Sequence, residues 1–427
     1  MQHERIARLQ AQGKTILFAG MAFSEKAYKN FKDKLDNNYP QPIWELTVNG
    51  VDISHGVANR LMSLTLNDNR GLEADTLEVE LSDHDGKLAI PPKGAVLELS
   101  LGWHTTGLVY KGAYIVNEIT HQGAPDTLSI TAMSADLKDT LKAKKERSFD
   151  QTTLGKIIDQ IAIEHKLIAK VHTELADKDI YHIDQNESDI NLLTRLADEF
   201  DAAASIKDDY LLFTPIGKHS TASGQDLPYL LVTRDLGDSH SYSETADIVS
   251  GVRTYFYDTN KKDKVQILAG NEDENVKEIR YVHRDEKSAT DTAIAVYRKA
   301  QRAVAHLSYK LAMGQPELIP EMPVMVYGIK DSIDRMDWTL TNIKHTLDGN
   351  GYTCQLELER TLGEPSEITP PIRVGEPEEK TADKADATDK TEKTENSDKA
   401  DKPTDQTAKR SKAGKQYRAA KKRKRRA

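Results

Sequence analysis

Two stretches of this chain, more than two hundred residues apart, carry the same pattern of β-strands. In each, a proline-marked turn leads into an alternating strand, a second strand ends in Ile-x-His, and a third alternating strand follows a polar turn. The matching segments are 91–99 with 320–326, 114–121 with 338–345, and 128–132 with 355–358. Because a trimer of a chain with two such units can present six similar surfaces around one axis, the repeat constrains symmetry as well as fold.

The first copy of the repeat belongs to a run of short strands that begins at Pro42. Asn49-Gly50 is a typical tight-turn sequence. Turn residues then recur about every 8–12 positions, which is the spacing of antiparallel barrels and sandwiches. We therefore expect an antiparallel β domain over residues 41–148, preceded by a leader, residues 1–40, whose structure the sequence does not define.

Helical spacing of apolar residues replaces strand alternation near residue 150. Ser188 is a candidate N-cap for a second helix, and residues 208–209 form the turn of a hairpin. The apolar stripe of the first helix is formed by Leu154, Ile157, Ile158 and Ile161. The pattern predicts a small α/β insert over residues 149–215.

A second β domain is predicted over residues 216–362, because strands resume near Ile248 and the second copy of the repeat ends near residue 360. Ser288, with Asp291 three residues later, resembles a capping box. It predicts a helix near residues 288–307 within this domain.

The last part of the chain is charged and poor in apolar residues. Residues 363–427 contain one aromatic side chain, Tyr417, and cannot bury enough apolar surface to fold, so we expect a disordered tail. Residues 410–427 hold ten Lys or Arg and no acid. Subtracting these ten charges from the net charge of −9 leaves −19 on residues 1–409. The prediction is an acidic body with a basic tip.

Composition excludes several classes of protein. With 38% hydrophobic and 30% charged residues, most of the chain is globular. No apolar run approaches the ~18 residues that span a bilayer, and the N-terminus does not resemble a secretory signal. The single cysteine, Cys354, allows no intrachain disulfide, which suits a reducing cytoplasm.

Motifs for phosphate or metal binding are incomplete. Residues 13–15, Gly-Lys-Thr, have Arg8 where a phosphate-binding loop needs glycine, so a polar break after a helix is the simpler interpretation. Residues 83–86, Asp-His-Asp-Gly, lack the further oxygen ligands of a calcium loop and indicate a surface turn between strands.

Catalytic motifs are weak as well. His121 and His345 occupy equivalent places in the two copies, where a catalytic pair and a shared structural role at a strand end are both conceivable. The structural role is simpler, and Cys354 lies in an alternating strand that does not indicate a nucleophile. Since neither Gly-x-Ser-x-Gly nor His-Glu-x-x-His occurs, we expect no enzyme activity, no catalytic residues, no cofactor and no metal.

The basic tip is the feature with the clearest chemistry. It can contact phosphates or an acidic protein surface, or it can be a solubilising end. Its one aromatic residue, Tyr417, provides no base-stacking platform, so any contact with nucleic acid is expected to be nonspecific. The candidate contact residues are Lys421, Lys422, Arg423, Lys424, Arg425 and Arg426.

From Pro42 to Thr361 the chain resembles the phage late control gene D family, the tail hub proteins of contractile-tailed phages, and also the N-terminal part of type VI secretion spike proteins. The segments that carry the resemblance, in the family's order, are 42–53 (PIWELTVNGVDI), 64–75 (LTLNDNRGLEAD), 184–197 (DQNESDINLLTRLA), 314–320 (GQPELIP) and Gly351-Tyr352. Many related hubs have glycine after the proline of the second copy, where this chain has Glu321.

The resemblance implies an α+β fold with two tandem antiparallel β-barrel domains of the tail-tube type, the α/β insert between them and the disordered C-terminal tail. It implies a homotrimeric hub between the sixfold tail tube and the threefold spike protein, with tape measure and other baseplate proteins as neighbours. Such a hub is part of the virion baseplate, is assembled in the host bacterial cytoplasm and needs no membrane span. The family offers no catalytic residues to carry over.

Three alternatives stay open at this point. A type VI spike component is expected to continue into a triplex β-helix, where this chain has a charged tail. A DNA-contacting late regulator needs a DNA-reading motif, and none is apparent. A hub-borne lysozyme needs a helical insertion with a carboxylate pair, and residues 149–215 are short for one and show no obvious pair.

Overall fold

The computed structural model describes residues 2–18, 21–22, 40–134, 139–207, 209–246, 248–259, 262–272, 275–362 and 372–374. The strands in the first half are β1 Ile16–Phe18, β2 Met21–Ala22, β3 Pro42–Val48, β4 Val51–Asp52, β5 Leu61–Asp68, β6 Thr76–Ser82, β7 Val96–Trp103, β8 Gly107–Gln122, β9 Thr127–Ser134, β10 Lys144–Thr153, β11 Ile168–Val171, β12 Asp179–Ser188, β13 Ala202–Lys207 and β14 Tyr210–Pro215. Those in the second half are β15 Tyr229–Thr233, β16 Gly237–Glu244, β17 Gly251–Asp258, β18 Asp263–Gly270, β19 Val276–His283, β20 Ala305–Leu311, β21 Pro323–Tyr327, β22 Trp338–Asp348, β23 Gly351–Arg360 and β24 Ile372–Val374.

Helices are fewer than strands in the described part of the chain. They are α1 Gln2–Ala11, α2 Ser54–Val57, α3 Leu154–Glu164, α4 Thr173–Ala176, α5 Asp189–Glu199, α6 Glu286–Arg302 and α7 Asp331–Asp334, with 3-10 turns at Asp139–Lys142 and Arg234–Leu236. Across the described ranges, none of them combines the length and apolar character that a membrane crossing requires.

The two copies of the repeat have the same strand order. In the first copy neighbouring strands follow the order β3, β7, β8, β9, β6, β5, and in the second copy the order β15, β21, β22, β23, β20, β16. One difference lies at the start, because β3 and β7 are antiparallel while β15 and β21 are parallel. The predicted repeat is therefore present as a repeated sheet topology.

The copies also share their irregularities. The register of β8 against β9 shifts between Val116 and Glu118, and that of β22 against β23 shifts between Leu340 and Asn342. Such a bulge bends a strand at one defined position. It makes Val116 equivalent to Leu340, and it keeps His121 equivalent to His345, as the sequence predicts.

The proline-marked turn before the second strand is also the same in both copies. Gly94 donates its N–H to Val116 O at 2.9 Å, and Glu321 donates its N–H to Leu340 O at 2.8 Å. Both residues have a left-handed backbone, with φ of 80° at Gly94 and 72° at Glu321. Glycine adopts this conformation freely and glutamate does not, so Glu321 is under strain.

Both copies form one sheet and one hydrophobic core. β5 of the first copy pairs with β22 of the second, and a single cluster of buried side chains extends from Leu46 to Leu358. The mainly β fold with accompanying helices is confirmed. Closure into two tandem barrels is not: within the described residues, the path of paired strands stays open.

The insert has a core of its own between β9 and β15. β10 and β12 form a two-stranded ribbon, β11, β14 and β13 form a small sheet, and α3 and α5 pack on a cluster that includes Leu193 and Phe213. The predicted helix after Ser188 is present, and the Ser188 hydroxyl accepts the N–H of Asn191 at 3.4 Å. The domain boundaries deduced from the sequence stay a prediction.

A second addition separates β16 from β20. It consists of β17, β18 and β19 with α6, and the segment Ile372–Val374 pairs with β18 at the edge of this sheet. Helix α6 begins earlier than the predicted 288, because the carboxylate of Asp285 accepts the N–H of Ser288 at 2.8 Å and so caps the helix.

Part of the leader packs on the second copy. β1 pairs in parallel with β15, and Ile6 and Leu9 of α1 lie against a small cluster formed with Leu231 and Met325. The sequence left this segment undefined. Residues 23–39, most of the tail and the whole basic tip lie outside the described residues.

Candidate functional site at the junction of the two copies

A charged turn between β5 and β6 lies where both copies and the insert meet. Asp68 ends β5, Gly71 has φ of 85°, and Asp75 precedes β6. The N–H of Asn69 donates to Asp75 Oδ1 at 2.8 Å and closes the turn. This turn is the Asp-x-x-Gly-x-x-x-Asp element that contributes to the family resemblance.

Both aspartates of the turn contact one lysine of the insert. Lys207, the last residue of β13, lies 3.1 Å from Asp68 Oδ1 and forms an ion pair with Asp75 as well. Burial raises the pKa of Asp75 and the charge of Asp68 raises it further, while Lys207 opposes both effects. Lys207 therefore neutralises a buried acidic pair and ties the insert to the first copy.

Arg70, from the same turn, binds two acids of the second copy. Its Nε lies 2.5 Å from Glu321 Oε1, and its Nη1 donates to Glu359 Oε1 at 2.7 Å. Burial raises the pKa of Glu321, and the charge of Arg70 opposes that rise. The strained Glu321 is thus held by a contact that crosses between the copies.

Arg302 extends this network from α6 to the insert. Its guanidinium donates to Asp201 Oδ2 at 2.8 Å, and its Nε lies 3.4 Å from Glu359 Oε1. Glu359 is shared by Arg70 and Arg302. Positive and negative groups therefore alternate from the first copy through the second copy to the insert.

The segment before β21 is fastened to the first copy by polar contacts. Trp103 Nε1 donates to Gly314 O at 2.8 Å. Lys111 Nζ donates to Pro316 O and Leu318 O, each at 3.2 Å, and lies 3.6 Å from Asp68. This segment is the 314–320 element of the resemblance, so two of the segments that carry it meet at the junction.

The junction is suited to holding parts of the molecule in a fixed orientation. Its charged groups are largely removed from water and each lies within 4 Å of an opposite charge. Breaking a buried pair leaves an uncompensated charge, at a cost of about 3–5 kcal/mol. Such an arrangement resists rotation between the copies, and none of its members is an unpaired nucleophile.

A second cluster has the composition of a metal site. Carboxylate and imidazole atoms of Glu164, His165 and Asp189 lie within 4.8 Å of one another. Lys145 Nζ lies 2.6 Å from both carboxylates, and Arg147 donates to them at 2.6 and 2.7 Å. Two side-chain cations thus occupy the positions facing the acids, and the cluster is a partly buried ion network that stabilises the insert.

The two equivalent histidines lie in different surroundings. His121 is partly exposed and lies 3.2 Å from Asp83. His345 is fully buried, 2.8 Å from the hydroxyl of Tyr352 and 3.1 Å from Cys354 Sγ. Burial lowers the pKa of His345 and raises that of Cys354 to about 11. Both side chains belong to the packed core of the sheet.

The remaining candidate motifs also lie in structural contacts. In the Asp-His-Asp-Gly turn, Arg60 binds Asp85 through both terminal nitrogens, at 2.7 and 2.8 Å, and Asp83 accepts the N–H of Leu88. The Gly-Lys-Thr segment connects α1 to β1, and its Lys14 forms an ion pair with Asp226 at 2.5 Å. The predicted contact residues 421–426 lie outside the described residues.

Lys111, Lys207 and Arg302 of the junction do not stand out in the sequence. Lys207 and Asp68 are 139 residues apart, and Arg302 and Asp201 are 101 residues apart. In the sequence, the acids of the turn stand out only as part of the family resemblance. A lone lysine that ends a strand gives no signal of its distant partner.

Comparison with known proteins agrees with this description. A model of the phage tail baseplate hub (GPD) family matches residues 76–351. The chain is 38% identical over 367 residues to the probable baseplate hub protein of Escherichia phage 186, covering 76% of this chain and 94% of that protein. It is 38% identical over 366 residues to the probable baseplate hub protein of Escherichia phage P2, with the same shares covered.

A solved structure with little sequence identity has a similar fold. The 43 kDa tail protein of prophage MuSo2 from Shewanella oneidensis is 14% identical, covers 77% of this chain and 100% of its own length, and has a TM-score of 0.57. The resemblance deduced from the sequence is confirmed, and the chain belongs to the phage tail baseplate hub (GPD) family.

Proposed function

We propose that this baseplate hub protein is a homotrimer that adapts a sixfold tail tube to a threefold spike. The observation that carries the proposal is the repeated strand order, in which each chain supplies two similar sets of paired strands with the same bulge and the same left-handed turn. Three chains then present six similar units around one axis and keep true threefold symmetry for a spike.

The partners in this proposal are those that the family resemblance implies. One end of the trimer contacts the tail tube and tape measure proteins, and the other contacts the spike and further baseplate proteins. The hub lies in the baseplate of the virion and is assembled in the host bacterial cytoplasm. The relatives reported above are phage proteins, which favours a phage tail over the secretion-system alternative.

In this proposal the division of the chain is functional. Residues 41–148 and 216–362 are the two hub domains, each completing a barrel-like wall in the assembled ring, and residues 149–215 are the insert that Lys207 and Arg302 fasten to them. The role is mechanical and needs no catalytic group, because the junction fixes orientation and the buried His345 and Cys354 pack the core.

The tail has a separate role in the proposal. Residues 363–427 are a tether, and Lys421, Lys422, Arg423, Lys424, Arg425 and Arg426 contact a polyanion or an acidic partner surface. Deleting residues 410–427 is expected to leave the trimer intact and to weaken only salt-sensitive contacts. If the truncated chain no longer forms trimers, the tail is part of the trimer contact and is not a tether.

Light scattering after size exclusion tests the hub proposal. The full chain is measured alone and with the spike protein of the same particle. We expect a trimer in at least the mixture, because obligate assemblies often gain stability only with their partners. A chain that stays monomeric in both samples contradicts the proposal.

A further inference from the structure

Pairing between the two copies within one chain follows a defined register. The second half of β22 lies antiparallel to β5, with His345 opposite Leu66 and Ile343 opposite Asp68. The first half of β22 pairs on this same side with β21. The long strand β22 therefore extends beyond its own copy and receives β5 of the other copy as a neighbour.

Each of these two strands has an equivalent elsewhere in the chain. β8 corresponds to β22 through the shared bulge, so that His121 corresponds to His345. β16 corresponds to β5, because Tyr242 pairs with Leu307 of β20 as Leu66 pairs with Leu77 of β6. The chain thus contains a second potential pair of the same kind, β16 with the second half of β8.

Both of these strands have an unpaired edge among the described residues. β16 pairs with β20 alone, and six of its eight residues are exposed. Beyond Val116, β8 pairs only with β9. Neither β16 nor residues 117–122 contain lysine or proline, the residues that commonly block exposed edges. A strand edge without a neighbouring strand is a template for pairing with another chain.

We propose that β16 of one subunit pairs antiparallel with the second half of β8 of the next subunit, and that this contact closes the hub ring. The proposal rests on the trimeric hub proposed above and names its subunit interface. The occupant of each free edge is a second copy of this chain. Since β16 corresponds to β5 and β8 corresponds to β22, the interface repeats the β5–β22 pairing already present within one chain.

The equivalence also sets the register of the interface. Shifting each residue of the β5–β22 pairing to its counterpart places Tyr242 opposite His121, Ser243 opposite Thr120 and Glu244 opposite Ile119 of the adjoining subunit. His121 then has a second role beside its contact with Asp83. His121 occupies the position that corresponds to buried His345. It is partly exposed in a single subunit because, in this proposal, the strand that covers it belongs to the next subunit.

A cysteine pair tests this register directly. The variant Ser243→Cys with Thr120→Cys places two thiols opposite each other, and Cα atoms about 4.5–5.5 Å apart in an antiparallel pair are compatible with a disulfide. The native Cys354 is buried and does not interfere. The matched control is Ser243→Cys with His121→Cys, because neighbouring strand residues point to opposite faces.

The full-length variants are oxidised with and without the spike protein and run on a non-reducing gel, with the mass of each sample measured by light scattering. We expect covalent dimers and trimers for the first variant and at least tenfold less for the control. A trimer by light scattering without cross-links, equal cross-linking of the control, or a cross-link within one chain overturns the interface and leaves the trimeric hub standing. A monomer in every sample overturns the hub proposal first.

Discussion

Glu321 couples backbone strain to contact between the two copies. It adopts a left-handed conformation at the position of Gly94 in the first copy. For a residue with a Cβ this costs about 1–2 kcal/mol. Its buried carboxylate pairs with Arg70 across the junction, so that a locally unfavourable residue contributes to fixing the copies in place.

Comparing two substitutions at Glu321 separates these effects. Glu321→Ala and Glu321→Gly both remove the carboxylate, but only glycine relieves the left-handed backbone. We predict that both variants are destabilised and that Glu321→Gly is the more stable of the two by about 1 kcal/mol. Urea unfolding measures the difference, and equal midpoints for the two variants contradict the strain.

Lys207 is predicted to matter through the two acids it neutralises. Lys207→Met leaves Asp68 and Asp75 facing each other and should lower the free energy of unfolding by about 1–3 kcal/mol, less than for a fully buried pair because Lys207 is partly exposed. Adding Asp75→Asn removes the repulsion and should restore much of the loss. A double variant as unstable as the sum of both single changes contradicts this explanation.

The ion network around buried Asp189 predicts a loss of stability in acid. Burial alone raises the pKa of Asp189, but hydrogen bonds from His165, Lys145 and Gln185 outweigh it and hold the pKa below the usual 3.8. A carboxylate with a lowered folded pKa stabilises the fold above the unfolded value and loses this contribution as pH falls through the folded value.

We therefore predict that the free energy of unfolding falls below about pH 4. The variant Asp189→Asn should be less stable than the wild type at neutral pH. The difference in free energy of unfolding between the two proteins should shrink as the pH falls. Urea titrations between neutral pH and pH 3 measure both curves, and parallel curves refute the assignment.

At the scale of elements, the sequence predicts what local patterns encode. Alternation identifies the repeated strands, and helical spacing with Ser188 identifies the helices of the insert. The equivalence of His121 and His345 follows from the same alternation. It also holds in the structure, because both copies have the same bulge.

Other elements depend on contacts that local patterns do not encode. The leader strand β1 has three residues and exists because β15 offers it an edge. Likewise, the order of strands places β5 beside β22, which are more than two hundred residues apart in sequence, and so joins two predicted domains in one sheet. The partners of Lys207 and Arg302 lie equally far from any local pattern.

The leader is predicted to cover an apolar face that only the second copy has. Met325 lies on the outer side of β21, where the corresponding residue of β7 is Glu98. Deleting residues 2–18 should expose Leu231 and Met325 and increase binding of an apolar dye such as ANS. Adding Met325→Glu to the truncated chain should reduce that binding. If the truncation leaves dye binding unchanged, the leader does not cover this face.

At the scale of the whole molecule, doubling a sheet within one chain lets three subunits present six similar units. The junction residues keep the two units of a chain at a fixed angle, since Arg70 and Lys111 both connect the copies. In the proposed trimer, one chain meets the next at the edges of β8 and β16, which have no neighbouring strand among the described residues.

Counting the hub chains bound to each spike tests the proposed symmetry. Native mass spectrometry of the full-length hub bound to the spike protein gives the number without further assumptions. We predict three hub chains on each trimeric spike, because each chain supplies two of six equivalent positions. A complex with six hub chains, or with a single one, would show that the repeat does not convert threefold into sixfold symmetry.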